Sequence, residues 1–468
     1  MKKNNIIKLS LVTILSLQIG ILAETNTNKH TNSLESVEVI SSDEKEESYT
    51  VESMSTSTKL NLSIKDTPQS VSVITSAQLN DMGITNYDEL LGHITGVTLN
   101  RWDERVQPSA RGFVLDYYKI DGVPVYEEYS SREIDLSLYE RIEIVRGANG
   151  LTTGSGNPGM SINLVRKKAD SDTLKVDLSL EVDSEKSKTI SADVGSSLSD
   201  DGKVRGRFVL NKEDAESFMD GYEKDKKSLY GVIDVDLNDK SKISTGISYE
   251  NTKKEGVRWG GLPAFYTDGT QTDFDRSEII SEDWTYSDTE IKSAFLDFEH
   301  YLNNDSILNI DYSYSQIRER SALFYIAGAV DKTSTVGNNY YTWLQDKIEK
   351  IHNIDVNTNI PYKIAGLENE IVIGATMNVS KVAKYEGKFG FGALSDFYDY
   401  DIAKPTSLPT YEEPSKTTQT GLYFTNRTQI ADNQKLITGA RISSHKFESE
   451  DSTIANRVHT GEVVPFIG

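Results

Sequence analysis

Beyond Lys168 the hydrophobic positions fall on every second residue. Leu174, Val176, Leu178, Leu180 and Val182 form one such series, and Leu229, Gly231, Ile233, Val235 and Leu237 form another. Ile243, Thr245, Ile247 and Tyr249, then Leu308, Ile310, Tyr312 and Tyr314, repeat the pattern. Period-two alternation over about ten residues is the signature of a β-strand with one apolar and one polar face, the length a tilted membrane strand needs. The alternation predicts about eleven strands and the start of another. Short polar turns near 199–202, 238–240, 303–305, 364–367 and Asp432 alternate with longer connections near 212–227, 254–289, 318–346, 384–415 and 449–461. That asymmetry predicts a barrel with turns on the periplasmic side and loops outside.

Upstream the pattern is mixed. Ser70 to Ile74 alternates as a half-buried strand, and Thr75 or Ser76 is placed to cap a short helix ending at Gly83. Thr85 or Asn86, followed by Glu89, predicts a second helix start. Asp121 and Gly122 between Ile120 and Val123 predict a two-residue hairpin, and Arg141 to Val145 a further strand. These elements belong to a compact α+β unit.

Composition narrows the class. Mean hydropathy is -0.47 and 37% of residues are hydrophobic, and after the first twenty-odd positions nothing approaches the roughly 18 consecutive apolar residues of a membrane helix. A net charge of -22 over 468 residues argues against a nucleic-acid partner. The chain has no cysteine, and His30, His93, His300, His352, His445 and His459 lack ligand spacing. No resident metal or cofactor is expected, and no nucleophile or paired acid site suggests an enzyme. The run 147–159 is Gly-rich but lacks the Gly-Lys-Ser/Thr ending of a phosphate loop, so its glycines are read as turns and close approaches to a wall. Lys2, Lys3 and Lys8 ahead of an apolar run from Leu9 to Leu22, with small Ala23 after it, predict a signal peptide over 1–23.

Between 67 and 168 the strings TPQSVSVIT, GVTLN, SARGF, KIDGVP, YERIEIVRGANGLTTGSGNPG and SINLVRKK follow in order. This stretch resembles the plug of a TonB-dependent outer-membrane ferric-siderophore receptor. The resemblance implies an α+β plug domain inside a transmembrane antiparallel β-barrel of about 22 strands. The residues after Lys168 suffice for about half of these, so the chain is expected to be the N-terminal part of a longer receptor. It divides into a signal peptide (1–23), a flexible periplasmic segment (24–59), a plug (60–168) and a partial barrel (169–468).

The same resemblance assigns roles. Glu35, Ser36, Val37, Glu38 and Val39 look like a TonB box, an extended peptide able to add as a strand to the TonB energy-coupling complex. The segment around it is too short for the extra signalling domain that some such receptors carry. Arg111 and Arg146 match plug arginines that lock onto barrel glutamates, with Arg166 a weaker candidate. Arg101, Trp102 and Arg105 from the plug apex, with Trp259, Tyr325 and Trp343 from the loops, are candidates to bind the siderophore. The implied ligand is Fe3+ wrapped in a chelate, nearest the hydroxamate or mixed peptide classes. The implied setting is a monomer in outer-membrane lipid of a Gram-negative cell. The alternatives are uptake of haem, cobalamin or another metal complex, and a non-transporting exported binding or adhesion protein.

Overall fold

The computed structural model describes residues 7–10, 48–126, 132–154, 158–183, 187–303, 305–332, 338–406, 410–431 and 434–468. The proposed TonB box, Glu35 to Val39, and most of the expected signal peptide lie outside these residues. Within the latter, β1 (Ile7–Ser10) pairs with Ser179 to Val182 of the wall.

The plug opens with β2 (Ser70–Thr75), α1 (Ser76–Met82) and α2 (Tyr87–His93). The Thr75 hydroxyl accepts from the Gln78 amide, and Gly83 closes α1 in the left-handed region at φ 69°. The Asn86 side chain accepts from the Glu89 amide at the start of α2. Next come β3 (Val97–Arg101), β4 (Val106–Ala110), β5 (Phe113–Val114), β6 (Tyr117–Ile120) and β7 (Val123–Tyr126). Asp121 and Gly122 join β6 to β7 with φ of 48° and 83°, the geometry of a type I′ hairpin. Then β8 (Tyr139–Arg146), α3 (Gly150–Thr153) and β9 (Met160–Arg166) complete a mixed sheet ordered β2-β8-β9-β6-β7, with β6 and β9 parallel. Its core holds Leu90, Leu91, Ile142, Ile144 and Leu164, all at most 1% exposed.

The wall is one antiparallel sheet. It runs through β10 (Lys175–Val182), β11 (Lys188–Ser197), β12 (Val204–Glu216), β13 (Glu223–Asn238), β14 (Ser241–Glu255) and β15 (Tyr286–Tyr301). It continues through β16 (Ile307–Ala327), β17 (Asn339–Ile364), β18 (Leu367–Ala393), β20 (Ser415–Ala431), β21 (Gln434–Ser449) and β22 (Arg457–Ile467), with short β19 (Thr410–Glu412) pairing on β18. Every strand meets its sequence neighbour, as hairpin connections require. The sheet wraps the plug on its inner face and turns Phe208, Ile247, Leu296, Ile373, Leu422 and Ile442 outward, each more than 40% exposed. That apolar outer belt over a charged interior is the division a lipid-facing barrel wall makes. Among the described residues no helix is long and apolar enough to cross a membrane.

The longest strands of the wall depart from the sequence expectation. Much of 318–346 and 384–415, expected as loop, is strand: β16 runs to Ala327, β17 starts at Asn339 and β18 reaches Ala393. Phe324 and Ile326 pack beneath Val330, Leu394, Phe397 and Ile280 on one face, and Leu323 and Tyr325 stand on the other. With apolar residues on both faces the strand loses the apolar/polar alternation that would reveal it.

Candidate functional site at the mouth of the wall

Odd-numbered residues of β16 and β17 face the plug, as Glu319 and Glu349 demonstrate by meeting Arg132 at 3.0 and 3.9 Å. By the same alternation Tyr325, Tyr341 and Trp343 face inward near the long-loop end. On β18 the phase would be lost, but Glu349 pairs with Val382 and Ile348 with Lys384, leaving Ala383 as a bulge. Below the bulge Asn378, Ser380 and Val382 face in; above it Tyr385, Gly387, Phe389 and Phe391 do. Trp343 lies over Gly387, where an added Cβ would come within 2.6 Å of its ring.

The result is an aromatic ladder. Trp259 meets Tyr325 edge-on at 6.5 Å, Tyr325 stacks on Tyr341 at 6.2 Å, and Tyr341 meets Phe389 at 5.8 Å. Gly260, at φ 133°, lets the loop cross the Tyr325 ring so closely that a Cβ would clash at 2.5 Å. The plug apex reaches the same corner, for Glu104 meets Arg258 at 3.5 Å and Lys254 at 3.8 Å. Further down the same strands β17 and β18, away from the long-loop end, a cavity of about 790 Å³ is floored by plug residues Tyr117, Pro124 and Tyr126 and walled by Lys347, Gln419 and Phe447. This size suits a bulky small-molecule ligand.

Of the sequence candidates, Trp259 and Tyr325 touch, and Trp343 shares their face. Trp102 projects from the apex at 46% exposure and Arg101 is exposed beside it. Arg105 is forked onto the buried carboxylate of Asp103, at 2.9 and 2.6 Å. Lys347, Tyr341 and Phe389 are not among the candidates named from sequence.

The two arginines expected to lock the plug both lie on its surface beside each other. Arg146 donates to the Thr95 carbonyl at 3.1 Å and the Ser72 hydroxyl at 2.5 Å, both on the plug. Arg111 lies next to it with its backbone at φ 53°, and among the described residues neither makes an ion pair with the wall. Burial, and then the neighbouring Arg111 charge, lower the Arg146 pKa. Arg166 pairs within the plug with Asp121 at 2.8 Å and lies 4.9 Å over the wall ring of Phe295.

The plug grips the described wall through the consecutive residues Arg132 to Asp135. Glu133 bridges Lys254 at 2.6 Å and Lys224 at 3.2 Å. Asp135 accepts from Asn211 at 2.6 Å, donates its amide to Glu250 at 3.1 Å and lies 3.8 Å from Lys226. The Gly-rich run behaves as read from sequence: Gly150 and Gly154 approach Val464 and Arg441 so closely that a Cβ would lie 3.0 to 3.1 Å from them.

Comparison with known proteins decides the family. The TonB-dependent Receptor Plug Domain profile matches residues 63–161, and the TonB dependent receptor-like β-barrel profile matches 255–468. The chain belongs to the TonB-dependent receptor family. It is 32% identical to the ferric-pyoverdine 358 receptor of Pseudomonas putida over 90% of its own length and 53% of that protein. It is 30% identical to the ferripyoverdine receptor of Pseudomonas aeruginosa, again over 90% of this chain and 53% of the relative. A solved ferripyoverdine receptor of the outer membrane of Pseudomonas aeruginosa, bound to ferripyoverdine, superposes with a TM-score of 0.84 at 28% identity, covering 91% of this chain and 57% of the other. The alcaligin outer-membrane receptor of Bordetella pertussis gives 0.69 at 25% identity over 91% and 64%. The chain thus spans about half the length of the curated relatives it matches. These relatives are receptors, not enzymes.

Proposed function

We propose that this TonB-dependent receptor chain captures a ferric siderophore of the pyoverdine kind at the mouth of its wall and serves its import across a Gram-negative outer membrane. The carrying observation is the inward aromatic ladder from Trp259 to Phe389 standing over the 790 Å³ vestibule and the plug apex. Aromatic faces bind the apolar body of a large chelate, while Lys347 and the Tyr117 and Tyr126 hydroxyls offer polar contacts to its periphery. Fe3+ would arrive already wrapped in its chelate, so the protein need only bind the chelate's surface. Energy would come from the TonB complex pulling on Glu35, Ser36, Val37, Glu38 and Val39, and the apolar outer belt suits lipid contact. The unit in this reading is a monomer.

The test is titration of the protein with ferric pyoverdines, hydroxamates and catecholates, followed by quenching of its four tryptophans. Saturable quenching by a ferric pyoverdine, absent with the iron-free compound or with haem, supports the reading. Quenching by haem or cobalamin alone would replace the cargo, and no saturable ligand in the panel would sink it.

A further inference from the structure

The turn between β3 and β4, at the plug apex, is braced by its own atoms. The Trp102 amide donates to the Arg105 carbonyl at 3.3 Å, and the Arg105 amide and guanidinium both donate to the Asp103 carboxylate, itself 2% exposed. A turn held in this way presents Glu104 to the wall in one place. Its carboxylate lies 3.5 Å from the Arg258 guanidinium and 3.8 Å from the Lys254 ammonium, with 19% of the side chain exposed. Lys254 takes Glu133 at 2.6 Å as well, so apex and clasp meet at one ammonium.

On the wall side Arg258 belongs to a short segment fixed at both ends. Gly256, at φ 61°, donates its amide to the Thr285 carbonyl at 3.1 Å and passes so near the Gly221 carbonyl that a Cβ there would clash. Gly260 crosses the Tyr325 ring, and Val257 is fully buried. Between these anchors stand Arg258 and Trp259, and Trp259 meets Tyr325 edge-on at 6.5 Å. The Arg258 Nε is buried without a hydrogen-bond partner, so among the described residues Glu104 is what holds this guanidinium. Holding it fixes the backbone that carries the next side chain, the indole of Trp259. Side chains that contact a ligand depend on supporting contacts of this kind to lock their geometry.

We propose that Glu104 is a positioning residue of the ligand site: from the plug it holds Arg258 and so sets Trp259 against Tyr325, which makes the aromatic ladder a joint product of the plug apex and the wall. The inference rests on the reading that the chelate binds at the ladder. Both carboxylate oxygens of Glu104 face wall cations, so its effect on affinity passes through the indole rather than through contact with the ligand.

Two readouts on the full chain separate positioning from a general contribution to folding. The first needs no ligand. In protein carrying Trp102→Phe, so that the apex indole does not report, Glu104→Gln should change the tryptophan emission, and the same substitution should leave it unchanged once Trp259→Phe is added. No change in the first case, or an equal change in both, overturns the assignment. The second is a binding cycle with ferric pyoverdine. Glu104→Gln should weaken binding about fivefold, as the loss of a partly exposed ion pair allows. On a Trp259→Ala background the same substitution should cost no more than about twofold, because the residue it acts through is gone. Losses that multiply would mean that Glu104 acts apart from Trp259, and would overturn the proposal. Arg258→Gln should reproduce every effect of Glu104→Gln and takes its place should that variant not fold. If no ferric siderophore binds while the emission change appears and requires Trp259, the transport reading fails and the positioning stands, so the two failures are distinguishable.

Discussion

The Glu133 carboxylate lies 2.6 Å from the Lys254 ammonium across the boundary between plug and wall, with 13% and 4% of the two side chains exposed. Burial alone would raise the pKa of Glu133, but the Lys254, Lys224 and Lys226 charges hold it well below the usual carboxylate range. A depressed pKa stabilises the fold above the unfolded value near 4.5 and loses that contribution as pH falls further. The clasp should therefore persist at neutral pH and loosen only in strong acid. Glu133→Ala, which leaves the buried Lys254 ammonium only Glu104 at 3.8 Å while Lys224 keeps Glu213 at 2.8 Å, should cost about 3 kcal/mol, while Glu133→Leu combined with Lys254→Met should cost much less. Denaturant unfolding in detergent measures both, and equal losses would refute the pairing.

Lys119 acts in the same sense but at higher pH. It is fully buried in β6, donating to the Thr152 hydroxyl at 3.1 Å, and burial, together with the Lys59 and Arg441 charges, pushes its ammonium down to about 7 against the opposing pull of Glu143. Because the unfolded chain keeps its proton up to 10.5 and the folded one releases it near 7, unfolding takes up a proton between those limits. Stability from this group must then rise with pH across that window, by a few kcal/mol in all. Lys119→Met should flatten the rise and stabilise the protein below neutrality. Unfolding midpoints collected from pH 6 to 10 would decide it, and a slope unchanged by the substitution would contradict the assignment.

How far the fold can be read from the chain depends on the range of the interaction. Thr75, Gly83, Asn86 and the Asp121–Gly122 turn act within a few residues, so their roles are visible without a structure. The strand alternation is equally legible wherever one face meets the outer belt. The clasp is not, because Arg132 finds Glu319 at a separation of 187 positions and no local pattern marks either. The same reason leaves Arg111 and Arg146 undecided by sequence: a guanidinium announces a partner without saying which. In the structure the two lie side by side on the plug, with Arg146 bonded to Thr95 and Ser72.

The aromatic ladder predicts unequal effects on ligand binding. Tyr325 touches both Trp259 and Tyr341, so Tyr325→Ala removes the middle of the stack and should weaken ferric pyoverdine binding by about tenfold to a hundredfold. Tyr325→Phe keeps the ring and should bind within a factor of about three of wild type. Tyr312, whose side chain is 40% exposed on the outer face, serves as the control, and its replacement should leave affinity unchanged. Tryptophan quenching by the ferric ligand reads all three, and a Tyr312→Ala loss equal to that of Tyr325→Ala would place the ligand elsewhere.

The bulge at Ala383 sets which side chains of upper β18 reach the site. A regular strand alternates faces, so the odd residues above Ala383 and the even residues below it could not all point inward without one extra residue absorbed between them. Deleting Ala383 lets Val382 and Lys384 follow one another in regular alternation, opposite Glu349 and Ile348 as before. Tyr385, Gly387 and Phe389 then remain on the inner face, and ferric pyoverdine binding should survive with only a modest loss of stability, about 1 kcal/mol for the altered twist. Deleting Glu386 as well removes a second residue when no bulge is left to compensate. The phase above that point must flip, turning Phe389 and Phe391 outward and Lys388 inward, beneath Trp343. That double deletion should abolish the ladder's contribution to binding even if the sheet still forms. If instead the single deletion destroys binding as fully as the double, the inward face of upper β18 is not set by this bulge, and the ladder's geometry needs another cause.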